Sequence, residues 1–131
     1  MYRFKVEIVI DEEKVIKDDK YEPQVMYDYI RDMFKQFELP EIKTEEPYHL
    51  IFTDKGGNKD LGAMGRIVFD LCDMDWFRKY ATEFYWYELN MYGKPFKTDV
   101  FNEFYKFQNN VELNDEQKEY IEKIIKEVKE N

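Results

Sequence analysis

Residues 75–93 read D-W-F-R-K-Y-A-T-E-F-Y-W-Y-E-L-N-M-Y-G, and the conformation assigned to them decides the fold. Aromatic residues are denser here than elsewhere in the chain, at Trp76, Phe77, Tyr80, Phe84, Tyr85, Trp86, Tyr87 and Tyr92. At 3.6 residues per turn, Phe77, Tyr80, Phe84, Tyr87 and Met91 form one stripe, with Ala81 beside them as a point of close approach. Tyr85, Leu89 and Tyr92 widen the apolar arc, and Trp86 falls among Asp75, Lys79, Thr82 and Asn90 on the wet side. A helix apolar over so much of its surface is covered on several sides. The spacing therefore predicts a central helix over 75–92, capped by Asp73 or Asp75 and ended by Gly93 and Pro95.

Working outward toward the N-terminus, residues 61–72 fit two periods. Leu61, Met64, Ile67, Val68 and Leu71 suit a helix that Asp60 could cap, whereas Ile67, Phe69 and Leu71 suit a strand. The helix is preferred, although Gly62 and Gly65 weaken both readings. Residues 48–53, Y-H-L-I-F-T, read as a strand between Pro47 and the turn D-K-G-G-N-K-D. Residues 40–47 read as an exposed acidic loop. Pro23 opens a helix over 23–38 with Met26, Tyr29, Ile30, Met33, Phe34 and Phe37 at helical spacing. Residues 11–22 form a charged connection in which Val15 and Ile16 could extend the sheet. Tyr2, Phe4, Val6, Ile8 and Ile10 alternate with Arg3, Lys5 and Glu7, the period-two mark of a half-buried antiparallel strand.

Toward the C-terminus, Thr98 and Asp99 open a short helical stretch with Val100, Phe101, Phe104, Tyr105 and Phe107 as its apolar members. Asn114 and Gln117 then make a capping-box pattern for a last helix with Tyr120, Ile121, Ile124, Ile125 and Val128 on one face. The expected architecture is α+β: one domain over residues 1–131, with a small antiparallel sheet packed by several helices around the central aromatic helix.

The chain has 131 residues and a formal net charge of −9. That balance disfavours direct nucleic-acid binding, which needs Lys and Arg on phosphates, and disfavours an anionic membrane surface. No run reaches the roughly 20 apolar residues of a spanning helix, and the opening residues lack a secretory apolar block. Cys72 is the single cysteine, so no intrachain disulfide forms and a reducing, cytoplasmic setting is expected.

Residues 60–87 carry Asp60-Leu61-Gly62-Ala63 with Gly65, then Trp76-Phe77, then Trp86-Tyr87. In these features the chain resembles small acidic proteins of phages and conjugative elements of Gram-positive bacteria. The opening strand, acidic loop and helix also resemble their first halves. Those proteins have no established activity, so the resemblance implies a mobile-element setting and carries over no site.

Catalytic chemistry finds little to work with. A nucleophilic pair of His49 and Cys72 would need the two within hydrogen-bond reach and a group lowering the thiol pKa, and no sequence neighbour supplies one. Zinc wants about four ligands, largely Cys and His, and the chain holds His49 and Cys72 alone. Asp70, Asp73 and Asp75 form the tightest acidic cluster, better suited to helix capping than to Ca²⁺ because the glycine and terminal Glu of a calcium loop are missing. Lys55-Gly56-Gly57-Asn58-Lys59 lacks the Lys-Ser/Thr step of a phosphate loop. No catalytic residue, cofactor or metal is expected.

Trp86, with Tyr85 at its edge, is either an anchor for a partner or a dimer, or is covered by the N-terminal strand or the C-terminal helix. The leading functional expectation is a non-enzymatic interaction protein of mobile-element type. In its specific form it inhibits a basic host protein by competing with nucleic acid. Its contact surface would be Tyr85 and Trp86 together with Asp11, Glu12, Glu13, Asp18, Asp19, Glu45 and Glu46. The alternative is a small-ligand or peptide-binding domain whose pocket lies beside Tyr80, Phe84 and Tyr87.

Overall fold

The computed structural model describes residues 2–89, 92, 94–103, 119, 120 and 123. Alternation in the first strand, β1 (Phe4–Ile10), sets the layers. Phe4, Val6, Ile8 and Ile10 are buried, while Lys5, Glu7 and Val9 between them are half-buried on the other face. β1 lies at the middle of an antiparallel sheet. On one side it pairs with β3 (His49–Thr53), which in turn pairs with the short β2 (Glu41–Ile42). On the other side it pairs with β4 (Ala81–Leu89), which pairs with β5 (Pro95–Asp99). The strand order is β2-β3-β1-β4-β5.

Four helices connect these strands. α1 (Glu12–Asp18) follows β1 directly: the Asp11 side chain accepts from the Lys14 N–H, and Glu12 and Glu13 lie in the positive first turn. α2 (Pro23–Lys35) starts on Pro23 and buries Met26, Tyr27, Ile30 and Phe34, one face at helical spacing. α3 (Asp60–Cys72) and α4 (Asp75–Tyr80) fill the second crossover. Strand, helices, two strands, helices, strand is the split β-α-β, or ferredoxin-like, arrangement, here with β5 added at one edge.

The helices lie on one face of the sheet. Their buried residues form one core with Val6, Ile8, Leu50, Phe52 and Phe84 of the strands. Phe34 of α2 stacks on Phe52 of β3 at 3.8 Å between ring centroids, and Phe77 of α4 meets Phe84 of β4 edge-on at 4.9 Å. The fold class is therefore α+β, with an antiparallel sheet packed by helices.

The expected central helix over 75–92 is corrected: it stops at Tyr80, and the chain continues from Ala81 as β4 without an intervening loop. The physical reason lies in β1. Paired with 48–53 alone, β1 would be an edge strand with a row of N–H and C=O groups left unpaired. Residues 81–89 supply the second neighbour, with β-favouring Thr82, Phe84, Tyr85, Trp86 and Tyr87. Phe84 and Trp86 then face the helices, and Tyr85, Tyr87 and Leu89 face away.

Other boundaries also move. Residues 12–18, expected as a charged connection or sheet extension, form α1, because Asp11 caps them and Val15 alone needs burial. Residues 41–42, expected in a loop, join the sheet edge, where Arg31 Nε donates to Glu41 Oε1 at 2.9 Å. Thr98 and Asp99 belong to β5, and helix begins at residue 100 with the Asp99 carboxylate accepting from the Asn102 N–H. Residues 60–72 are helical as preferred, although the Asp60 carboxylate turns back to accept from the Lys55 and Gly57 N–H groups of the preceding loop. The expectations for Asn90, Met91, Gly93, Phe104, Tyr105 and Phe107 fall outside the described residues. So does the last helix opened by Asn114, apart from Glu119, Tyr120 and Lys123, which are helical.

Candidate interaction surfaces

His49 and Cys72, the pair weighed for nucleophilic chemistry, are held apart. Cys72 closes α3 inside the core, and burial pushes its thiol up to about 12, so it behaves as a small hydrophobe. His49 lies on the face of β3 directed away from the helices, alternating with the core residues Leu50 and Phe52. Its Nε2 approaches Glu7 Oε2 at 2.7 Å.

That face carries a polar and aromatic ladder. Adjacent rows of the register bring Lys5, Tyr87 and Lys97 side by side, and next to them Glu7, Tyr85 and Asp99. Tyr87 donates its hydroxyl proton to Glu7 Oε1 at 2.7 Å, so Glu7 joins Tyr87 to His49 across three strands. Burial alone would raise the Glu7 carboxyl, but the bonds from Tyr87 and His49 outweigh it and hold the group below the usual glutamate range. Burial and the bond to Glu7 push the Tyr87 phenol above its ordinary value. Lys97 Nζ sits 3.8 Å from the Tyr85 ring centroid and Lys5 Nζ 4.2 Å from that of Tyr87. Sequence reasoning missed this ladder. Glu7 and Tyr87 are 80 residues apart, and only the strand register brings them together.

The expected anchor pair is split. Tyr85 stands half-buried on the ladder face, while Trp86 lies on the helix-packed face against Phe4 at 5.7 Å. Successive strand residues point to opposite faces, so Tyr85 and Trp86 cannot share one contact surface. The wet-side placement of Trp86 followed from the helical phase and falls with it. The expected pocket is corrected on the same ground: Tyr80 and Phe84 are fully packed in the core, and Tyr87 is on the other side of the sheet. A cavity does open elsewhere, between Met33, Gln36 and Phe37 of the α2 end and Arg66, Ile67 and Asp70 of α3.

The acids behave differently, because the fold gathers them. β1 ends at Ile10, whose N–H donates to the Tyr48 carbonyl at 3.0 Å. Asp11, Glu12 and Glu13 follow Ile10 at once, and Glu45 and Glu46 lie just before Tyr48 in a turn closed by Thr44 Oγ1 on the Glu46 and His49 carbonyls. Asp18 and Asp19 end α1 at the same end of the sheet. The Ile10–Tyr48 hydrogen bond thus brings two acidic stretches far apart in sequence, with Lys14, Lys17 and Lys43 among them, to the end of the sheet where β1 stops. Some of these acids also have structural work. Glu12 accepts from the Tyr27 hydroxyl, and Asp18 accepts from Tyr80 and pairs with Lys79 at 3.1 Å. Glu13, Asp19, Glu45 and Glu46 are exposed, and none of them makes an ion pair among the described residues.

Among the described residues no helix is long and apolar enough to cross a membrane, and no three His, Cys, Asp or Glu side chains are placed to hold a metal ion. Set against known proteins, the chain matches no protein-family model, no curated protein and no solved structure.

Proposed function

We propose that this chain is a non-enzymatic interaction protein that engages a basic protein partner through the acidic end of its sheet, competing there with nucleic acid. A mobile-element setting, as the sequence resemblance implies, belongs to the same reading. The observation that carries it is the meeting of Asp11-Glu12-Glu13 with Glu45-Glu46 beside the Ile10–Tyr48 hydrogen bond. Exposed carboxylates collected on one surface speed encounter with a cationic partner and fix its orientation. The buried Cys72 thiol and the engagement of His49 by Glu7 support a role without covalent chemistry.

Affinity capture at low and at physiological ionic strength tests the reading. The expected catch is a nucleic-acid-binding protein, held more tightly at low salt, released by competing nucleic acid, and lost on Glu13→Lys, Glu45→Lys and Glu46→Lys together. Capture that ignores both salt and these charge reversals would overturn it.

A further inference from the structure

The two ends of the strand order are unlike. β2 closes one edge with two residues only, too few to template a neighbour. β5 closes the other with Pro95–Asp99, exposed along nearly its whole length, Phe96 to 65%. The direction of its backbone groups follows from the register. The Leu89 N–H donates to the Arg3 carbonyl at 3.0 Å, so Leu89 turns its backbone polar groups toward β1 and away from β5. Pro95, opposite Leu89, therefore directs its carbonyl out of the sheet, and Lys97 and Asp99 repeat that direction at every second residue. Phe96 and Thr98 turn inward, to Glu88 and Trp86. Among the described residues no other strand lies beyond β5 to meet the outward groups.

That open row is complementary to itself. When two copies of β5 run antiparallel about a two-fold axis at Thr98, Lys97 of each lies opposite Asp99 of the other. The same register turns the outward N–H and C=O groups of these two residues toward each other, and unlike charges meet twice. Other centres do worse. An axis at Lys97 sets two ammonium groups face to face. An axis at Phe96 brings two rings together but sets Lys97 against Pro95, which has no N–H to give. Proline and lysine ordinarily blunt a sheet edge. With the axis at Thr98, Pro95 falls outside the bonded pairs and Lys97 finds a carboxylate. Both side chains can serve: the Lys97 ammonium rests on the Tyr85 ring, and Asp99 uses one carboxylate oxygen on the Asn102 N–H, at 3.3 Å. Residues 94–103 are also charge-balanced, Lys94 and Lys97 against Asp99 and Glu103, in a chain of net charge −9.

We infer that a second copy of this chain pairs with β5 edge to edge, the two strands antiparallel about Thr98 and the two sheets joined into one. The inference stands apart from the acidic-end reading and uses none of its residues. Two strands of five residues each make a contact smaller than the roughly 1,200 Å² at which stable interfaces begin. The dimer is therefore a weak one, with a dissociation constant on the order of 100 µM.

Sedimentation velocity of the full chain from about 10 µM to about 1 mM tests it, and monomer is expected to give way to dimer across that range. Lys97→Glu sets acid against acid, and Asp99→Lys sets ammonium against ammonium. Each variant alone, checked for folding by circular dichroism, is expected to self-associate about tenfold more weakly. Mixed in equal amounts, the two again bring unlike charges opposite at both places, and the mixed pair carries the parent's total charge. Its affinity is expected to return to within about threefold of the parent. Asp99→Asn keeps a capping side chain without the charge and is expected to weaken the dimer about threefold, which serves should Asp99→Lys fail to fold. Amide exchange gives a second readout: the Lys97 and Asp99 N–H groups slow as concentration rises, whereas those of Phe96 and Thr98, already turned to β4, hold steady. Monomer throughout would overturn the inference. So would a dimer indifferent to the folded charge variants, a mixture that fails to recover, or exchange at Lys97 and Asp99 that ignores concentration. None of these results bears on capture of a basic protein at the acidic end, so either reading can fall alone.

Discussion

The two faces of the sheet are built from the same strands and stand on different physics. On the helix side, Val6, Ile8, Leu50, Phe52 and Phe84 are removed from water, and burial of apolar area holds them. On the far side, Lys5, Glu7, His49, Tyr85, Tyr87 and Lys97 are joined by hydrogen bonds and cation–ring contacts that water can replace at small cost. One residue of register separates the two regimes. Stability should therefore depend steeply on one face and weakly on the other, leaving the ladder face free to change with little effect on folding.

The strongest way to break that contrast is Phe84→Ala. Phe84 is 1% exposed and touches Phe77 and Phe101, so its loss is expected to lower unfolding free energy by about 3–5 kcal/mol in urea titration. A value near zero would deny that β4 belongs to the core.

Asp54 tests the rim where β1 and β3 meet. Its buried carboxylate accepts from the Arg3, Phe4 and Gly56 N–H groups, at 2.7, 3.0 and 3.1 Å. Asp54→Ala strands these donors and is expected to cost about 1–3 kcal/mol. Burial would raise the Asp54 carboxyl, yet the backbone donors outweigh it and hold the group below the usual aspartate value. The unfolded chain therefore takes up the proton first on acidification. The stabilisation is complete above roughly pH 4 and fades as pH falls through the ordinary value toward the lower native one. Asp54→Asn should flatten that limb of the stability–pH curve, and an unchanged limb would assign acid sensitivity to other carboxylates.

Across the ladder, Tyr87→Phe removes the hydrogen bond to Glu7 and is expected to cost about 1 kcal/mol, seen in chemical denaturation. Lys97→Ala removes the cation over Tyr85 and should cost less than about 1 kcal/mol. A ladder variant as damaging as Phe84→Ala would erase the distinction between the faces.

Legibility in the sequence follows the same divide. β1 was readable because its apolar residues obey period two alone, and α2 because Met26, Ile30 and Phe34 obey 3.6 alone. Residues 75–92 hold so many rings that both periods are satisfied. Phe77, Tyr80, Phe84 and Tyr87 trace a helical stripe, and Phe84 and Trp86 trace a strand face. Local pattern cannot arbitrate there; the pairing of residues 81–89 with the open edge of β1 does, and that is a tertiary fact. The acidic stretches were visible one by one, but their meeting depends on the Ile10–Tyr48 contact. Neither the Glu7–His49–Tyr87 chain nor the edge-on contact of Tyr29 with Trp76 has any signal in local spacing.

The central position of β1 has a consequence for biosynthesis. The ribosome makes this strand before either of its sheet neighbours, and its second edge finds a partner only once Phe84 to Glu88 have left the exit tunnel. Until then an alternating apolar ribbon has one or both edges open, the state most prone to pairing with the wrong chain. Lys5 and Glu7 within the strand, with Arg3 just before it, put charges on the face that alternates with the apolar one, and such charges disfavour pairing with a wrong chain.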